Sequence, residues 1–511
     1  MLVVIVTAAA ILGVRAVNNS GIFQRNTIAA TIDEHELDSV HVNYYYKDYV
    51  DSYFDQYEST YGESAGLFLL YSGLDTTKPL NTQSYNGDPN RTWADYFLAE
   101  VLVNVRNDYA LYDKAMAEGF DIGDEVQQVL DFTEQELNYY ATAAGFRNAN
   151  AYLKAVYGPG SDAESYLEYT KIAYIASSYY SNYGSELTYD EEEVREHAEE
   201  YGNRYASYDF AYYYIDLYHC IEGGVEDENG VITHTPEQKA AAIKKAEDLA
   251  NLLAESKNIT EFDSAINNLD INADRGTVTS TKAEKTLYSQ VTTELREWLS
   301  DDARTENNIT VIPSTETVSQ NGETVVNTLG YYVVLYLDRY ENTEPLANVR
   351  HLLVKFEGGT TGTNGKVTYS DAEKAAAKAE AEALLQTWKD GDADEDSFIK
   401  LVQENSDDTA SATNGGLIED IHPQSNLVEN FLNWSIDPSR EVGDTDVIES
   451  EYGYHVMYYV SDDEVNYRDY MITETLRSLD LQTWFTEIIN TVSIKLEESK
   501  YLNLDLIMEV L

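Results

Sequence analysis

Two histidines stand in short apolar runs about a hundred residues apart: His351 in His351-Leu352-Leu353-Val354-Lys355 and His455 in Gly453-Tyr454-His455-Val456. Between them lies the polar stretch Ser406-Asp407-Asp408-Thr409-Ala410-Ser411-Ala412-Thr413-Asn414-Gly415-Gly416-Leu417. An imidazole can donate or accept a hydrogen bond and changes charge near neutrality. Two of them on neighbouring strands therefore predict one pocket in which paired rings are tuned by a nearby hydroxyl or carboxylate. Other combinations promise less. His219 and Cys220 are adjacent near a strand, and consecutive strand residues face opposite sides, so a cysteine–histidine nucleophile is not expected. Asp390-Gly391-Asp392-Ala393-Asp394 opens like a calcium loop, but Glu395 holds the glycine position and Leu401 that of the bidentate acid, which predicts a solvated loop. With Cys220 as the one cysteine, neither an intrachain disulfide nor a thiolate metal cluster can form.

The elements that must position these residues are spread over 511 residues, a length that predicts about two to four domains. Lys and Arg number 34 against 91 Asp and Glu, a formal charge of −57. Such a surface repels nucleic acid and anionic lipid, and a phosphate-backbone binder is not expected. The acidity is spread along the chain, as on a solvated, salt-tolerant surface.

At the amino end, Leu2 to Val14 is a nearly unbroken apolar run with Arg15 behind it. It is short for a membrane span and lacks preceding basic residues. The readings are a signal or membrane-anchor segment over 1–25, truncated or short, or a buried amino-terminal strand or helix. No lipobox cysteine follows. Ile28 to Asp33 alternates like a short strand. From there to about residue 205 the pattern is helical and tyrosine-rich, as in Tyr44-Tyr45-Tyr46 and Tyr49-Val50-Asp51-Ser52-Tyr53-Phe54. Thr133-Glu134-Gln135-Glu136 and Thr188-Tyr189-Asp190-Glu191 read as helix starts, and Gly158-Pro159-Gly160 as a break.

Beyond residue 205 the chain repeats itself. Ile221-Glu222-Gly223-Gly224 corresponds to Phe356-Glu357-Gly358-Gly359, and Lys239-Ala240-Ala241-Ala242 to Lys374-Ala375-Ala376-Ala377, both at an offset of 135. Phe262 then pairs with Phe398, Trp298 with Trp434, and Gly330-Tyr331-Tyr332-Val333 with Gly453-Tyr454-His455-Val456. Two copies of one α+β unit are predicted, at 206–340 and 345–462. Helix starts are expected at Thr235-Pro236-Glu237-Gln238 and Ser370-Asp371-Ala372-Glu373. In the ungapped register Asp216 stands opposite His351 and Tyr332 opposite His455, so the first copy has lost both histidines.

The second copy, by its histidine-bearing first strand, its Ser406 to Leu417 segment and its Gly-x-His final strand, resembles the parvulin-type peptidyl-prolyl isomerase domain. That resemblance implies His351, Asp408, His455 and Ser450 as catalytic residues and Leu417, Leu427 and Phe431 as the proline pocket, with no metal, nucleophile or cofactor. Ile418-Glu419 replaces the usual small residue after the leucine, and Trp434 stands where a smaller residue is typical, which predicts a narrower pocket. The loop after Lys355 lacks the basic pair of phosphate-directed members, so phosphorylated targets are not expected.

The whole chain is similar to the exported PrsA and SurA group of foldases. This implies a multidomain α+β protein with a helical SurA-like amino-terminal chaperone domain at 26–205. A degenerate parvulin-like domain at 206–340, the isomerase domain at 345–462 and a carboxy-terminal helical segment at 463–511 would follow. The implied function is X–Pro isomerisation in exported proteins together with holdase activity; the alternative is a non-catalytic holdase that uses both parvulin-like domains as peptide-binding scaffolds. Unfolded or newly exported polypeptides would be the partners, with no nucleic acid, and with membrane contact only through the amino-terminal segment. The location would be extracytoplasmic, anchored or secreted, in a Gram-positive-type cell.

Overall fold

A computed structural model describes residues 20–226, 232–320, 323–362 and 366–507. The Leu2 to Val14 run lies outside the described residues. Among those described, no helix is long and apolar enough to cross a membrane. The chain divides into two compact units, 1–188 with 476–511, and 189–475.

The first unit opens on a hairpin of β1 (Ile28–Ile32) and β2 (His35–Asp38). Ile494–Leu496 pairs antiparallel with β1, Ala30 opposite Leu496, and so adds a third strand to the hairpin. Four long helices follow the hairpin: α1 (Ser39–Tyr61), α2 (Trp93–Glu118), α3 (Glu125–Ala143) and α4 (Ala163–Glu186). Helix α1 starts where the Asp38 carboxylate accepts the Val40 and His41 amides. Its tyrosines are largely core. Tyr44 and Tyr46 are buried, and the Tyr44 hydroxyl meets Ser165 at 2.8 Å. Val50, Phe54, Phe97 and Val101 fill the space between α1 and α2. The expected start at Thr133 is not one: α3 begins at Glu125, after Asp124, and Thr133 is interior to it.

The second unit contains the two copies. The first comprises β3 (Ser207–Asp216), α5 (Pro236–Leu253), α6 (Ile259–Asn267), β4 (Thr281–Leu287), α7 (Thr293–Leu299), β5 (Ile309–Gln320) and β6 (Glu323–Tyr340). The second comprises β7 (Pro345–Lys355), α8 (Asp371–Lys389), α9 (Glu395–Asn405), β8 (Leu417–Ile421), α10 (Glu429–Ser435), β9 (Thr445–Glu449) and β10 (Gly453–Asn466). Both sheets are antiparallel with the same order, β4-β3-β6-β5 and β8-β7-β10-β9. Thr235 and Ser370 form reciprocal capping boxes with Gln238 and Glu373. A smaller device also recurs. Arg304 stacks over Trp298 and pairs with Asp301, as Arg440 stacks over Trp434 and pairs with Asp437.

Strand β7 is buried along both faces, and it carries Arg350 on one and His351 on the other. Leu352 and Val354 pack with Ala381, Trp388 and Phe398 of α8 and α9. Val349, Met457 and Tyr459 pack on the other face with Phe431 and Trp434 of α10. His351 pairs with Met457 across the sheet and His455 with Leu353, which puts both rings on the α10 face.

The pairing corrects one expectation. Gly330 of the first copy lies opposite Asp216, as Gly453 lies opposite Lys355. Counting from those rungs, Tyr212, paired with Val334, takes the place of His351, and Tyr332 takes that of His455. Asp216 corresponds to Lys355. The ungapped register fails because the first copy inserts Leu217-Tyr218-His219-Cys220, a 3-10 turn and its end, between strand and glycine loop. His219 and Cys220 therefore sit on a turn rather than a strand, the histidine exposed and the thiol buried.

Candidate active site

The site is assembled where β8 stops accompanying β7. The His351 amide donates to Gly416 O at 2.9 Å, but beyond that rung the chain turns away and the next backbone groups of β7 need other partners. The Ser406 to Asp408 segment supplies them. Ser406 Oγ accepts the Leu353 amide at 3.1 Å, the Asp407 amide donates to Leu353 O at 2.8 Å, and Asp407 Oδ2 accepts the Lys355 amide at 2.9 Å. Asp408 is then held beside His351 and caps the single helical turn Thr409–Ala412.

The two histidines meet. Their Nδ1 atoms are 3.1 Å apart, and the rings are 5% and 6% exposed. His351 Nε2 lies 3.1 Å from Ser411 Oγ and 3.2 Å from Asp408 Oδ2, while Ser411 Oγ is 2.6 Å from the same carboxylate oxygen. At the other end, His455 Nε2 is 2.9 Å from Ser450 Oγ. Proton positions follow from this order. The carboxylate can only accept, so Ser411 donates to Asp408 and accepts from His351 Nε2–H. His351 Nδ1 is then an acceptor for His455 Nδ1–H, and His455 Nε2 accepts from Ser450. Ser450 Oγ also lies 3.3 Å from Gly453 O, but its single proton serves the shorter contact.

Burial lowers the basicity of both rings. His455 falls to about 4, first through desolvation and then through its neighbour ring, and His351 is lowered by burial that the Asp408 charge only partly offsets. Both are neutral at pH 7. Burial pushes Asp408 up, but the Ser411 hydroxyl, the His351 ring and two backbone amides outweigh it and hold the carboxyl below its ordinary range. One fixed negative charge thus stands at one end of a neutral chain of hydrogen bonds.

The apolar part lies on the same face. The Phe431 ring stands edge-on to both imidazoles, 5.2 Å from His351 and 5.4 Å from His455. Leu427 and Ile418 pack on the Phe431 cluster. Leu417 does not. It is half-buried and pairs with Arg350, so strand alternation gives it the face opposite His351, and Ile418 takes the inner place. Trp434 packs against Tyr459 under Arg440, and Phe431, not Trp434, touches the imidazoles.

Ser411 escaped the sequence reading. Its signal is the Asp-x-x-Ser spacing of Asp408 and Ser411, one helical turn that returns the hydroxyl to the carboxylate. Gly416 is also needed. Its φ is +71°, and an added Cβ would lie 2.1 Å from His351 O. Gly416→Ala is expected to cost roughly 2 kcal/mol of stability in chemical denaturation and to disturb the His351 strand.

Residues 331–463 match the family described as the PPIC-type PPIASE domain, a span that starts in β6 and covers the second copy. Among solved structures, the chain is similar to peptidylprolyl isomerase PrsA from Bacillus anthracis at 15% identity, covering 30% of this chain and 59% of that one, with a TM-score of 0.19. PrsA from Bacillus subtilis matches at 19% identity over 30% and 50% of the two chains, with a TM-score of 0.19. The foldase protein PrsA from Streptococcus pneumoniae matches at 18% over 29% and 48%, with a TM-score of 0.17. The chain thus spans about half to three fifths of the length of these proteins. No curated protein matches it.

Proposed function

We propose that this chain, whose residues 331–463 carry a PPIC-type peptidyl-prolyl isomerase domain, catalyses cis–trans isomerisation of X–Pro bonds in unfolded polypeptides at the surface formed by Phe431, Leu427 and the two histidines. The observation that carries this reading is the buried pair of neutral imidazoles, joined at Nδ1 under an apolar ring and polarised from one side by Asp408. The reaction breaks no bond. It rotates an amide past a barrier of about 20 kcal/mol that comes from lost resonance. The planar amide is the more polar state, with negative charge on its oxygen. An apolar seat for the ring and a fixed anion at its edge favour the less polar, twisted state. Asp408, His351, His455 and Ser450 are read as the catalytic set, His351 and His455 setting the floor and Ser411 and Ser450 fixing their tautomers. Leu427 and Phe431 are read as the proline pocket, with Ile418 beside them in the place that Leu417 leaves by facing the other side of β8.

We further read the protein as a foldase that works outside the cytoplasm and holds its clients, supported by the apolar Leu2 to Val14 run and by the tyrosine-rich helical unit that precedes the isomerase domain in the chain. The test is a refolding reaction limited by proline isomerisation. Catalytic amounts of full-length protein are expected to accelerate the slow phase, and stoichiometric amounts to suppress aggregation of a proline-free client. An unchanged slow phase sinks the isomerase reading, and unchanged aggregation sinks the holdase reading.

A non-catalytic role is favoured for the first copy alone. Tyr212 and Tyr332 replace the histidines, with ring centroids 6.0 Å apart, and Leu295 stands where Phe431 would be.

A further inference from the structure

Two parts of the candidate active site come from elements that do not belong to one ladder. Phe431 rides on α10, a helix of seven residues, and Ser450 rides on the turn 450–452 between β9 and β10. Phe431 meets both imidazoles, and Ser450 Oγ meets His455 Nε2 at 2.9 Å, so the placement of helix against turn decides whether both contacts hold at once. The helix is poorly anchored by itself. Its N-cap is Val428, whose side chain has no oxygen for the first amides, and so short a helix depends on outside contacts.

One side chain joins helix and turn. Asn430 Nδ2 donates to Glu449 O at 2.9 Å, from the residue before Phe431 to the residue before Ser450. A carbonyl only accepts, so the nitrogen of the Asn430 amide faces the turn. Glu449 is itself held. Its Oε1 accepts Lys374 Nζ from α8 at 2.7 Å, and its Oε2 accepts the Tyr454 hydroxyl from β10 at 2.8 Å. Those two donors, the lysine first, keep the Glu449 carboxyl below its ordinary range. The first copy offers a comparison within the same chain. When Trp298 is set against Trp434, Glu294 takes the place of Asn430, the second residue of a seven-residue helix in both. A carboxylate cannot donate, and the hairpin there runs on past Gly330 to Gln320 and Glu323. The copy without the histidines therefore lacks both the donor and the short turn that would receive it.

On the isomerase reading of this site, we propose that Asn430 is a positioning residue, whose amide fixes the proline seat at Phe431 relative to the hydroxyl end of the ring pair at Ser450. The side chain is exposed, so losing its bond leaves the fold in place. A small displacement of a surface that must fit a twisted amide is nonetheless costly in rate. Asn430 also lines a groove of about 510 Å³ together with Glu429 and Ser450. Direct contact with a bound chain is thus the competing explanation for a loss on mutation, and a readout without substrate separates the two.

Asn430→Asp keeps the shape and removes the donor, Asn430→Gln keeps the donor, and Glu429→Gln changes a charge at the neighbouring exposed position. On the full-length protein with an X–Pro peptide, Asn430→Asp is expected to lower kcat/KM about fivefold, and the other two to stay within about twofold of the wild type. The second readout is NMR without substrate. The Phe431 ring current acts on the His351 and His455 imidazole resonances, so Asn430→Asp should displace both, Asn430→Gln should restore them, and Glu429→Gln should leave them in place. An unchanged rate in Asn430→Asp beside an active wild type overturns the proposal. So does a slower Asn430→Asp with undisplaced resonances, which marks direct substrate contact, and so does an Asn430→Gln that falls as far as Asn430→Asp. A wild type that fails to accelerate X–Pro isomerisation sinks the isomerase reading instead, and the resonances alone then decide whether Asn430 places Phe431.

Discussion

His455→Ala is expected to lower kcat/KM toward an X–Pro peptide by roughly 30-fold or more, about 2 kcal/mol of transition-state stabilisation. The argument starts from the chain of hydrogen bonds. His455 Nδ1–H is the donor to His351 Nδ1, and His455 Nε2 is the acceptor for Ser450. Alanine leaves a buried ring nitrogen without a donor and opens a hole beside Phe431, so the floor under the proposed proline seat can shift or admit water. A stability loss of about 1–3 kcal/mol should accompany this. The two effects are separable by assaying well below the denaturation midpoint. Tyr332→Phe, on the corresponding rung of the first copy, is expected to leave the rate unchanged. Wild-type turnover in His455→Ala would refute the catalytic role of the ring pair.

The parts of this molecule that could be read in advance are those where a local rule acts alone. Thr235 and Ser370 are helix starts because each follows a short extended segment, Ile232–Thr233 and Val367–Thr368, so the cap geometry has no competing helix. Thr133 carries a similar spacing and starts nothing. Nothing between Asp124 and Thr133 breaks a helix, and there the same residues serve as interior positions. The histidine pair was legible because each ring is announced by its own apolar strand. The place of Tyr212 was not, because a short turn moves a strand register without disturbing the helices that follow. Leu417 shows the same limit at one residue. A register rung decides whether Leu417 or Ile418 faces the rings, and composition is silent on it. The pairing of Ile494–Leu496 with β1 joins segments more than 450 residues apart, a contact that no local pattern encodes.

The second large effect is on stability in acid, and its sign follows from the burial of the same rings. In the unfolded chain a histidine takes up its proton near pH 6.5; in the folded protein His455 does so only at about 4, and His351 is shifted in the same direction. Between those values the unfolded chain binds more protons than the folded one, so stability rises with pH across the window and is lost as pH falls through it. For His455 the shift corresponds to a loss on the order of 3 kcal/mol by pH 4. Asp408 belongs to a lower window. Its folded value lies below 3.8, so its contribution is present above that pH and lost only beneath it. Asp108 in the first unit acts oppositely: its raised carboxyl makes the folded state hold more protons between pH 6 and 4, which offsets part of the loss in any whole-chain measurement. Urea denaturation should therefore compare the wild type with His455→Ala at each pH, followed by intrinsic tryptophan emission. The wild type is expected to lose on the order of 3 kcal/mol more than the variant between pH 7 and 4. Parallel curves would mean that the ring titrates alike folded and unfolded, and that it is not the desolvated neutral base on which the proposed site depends.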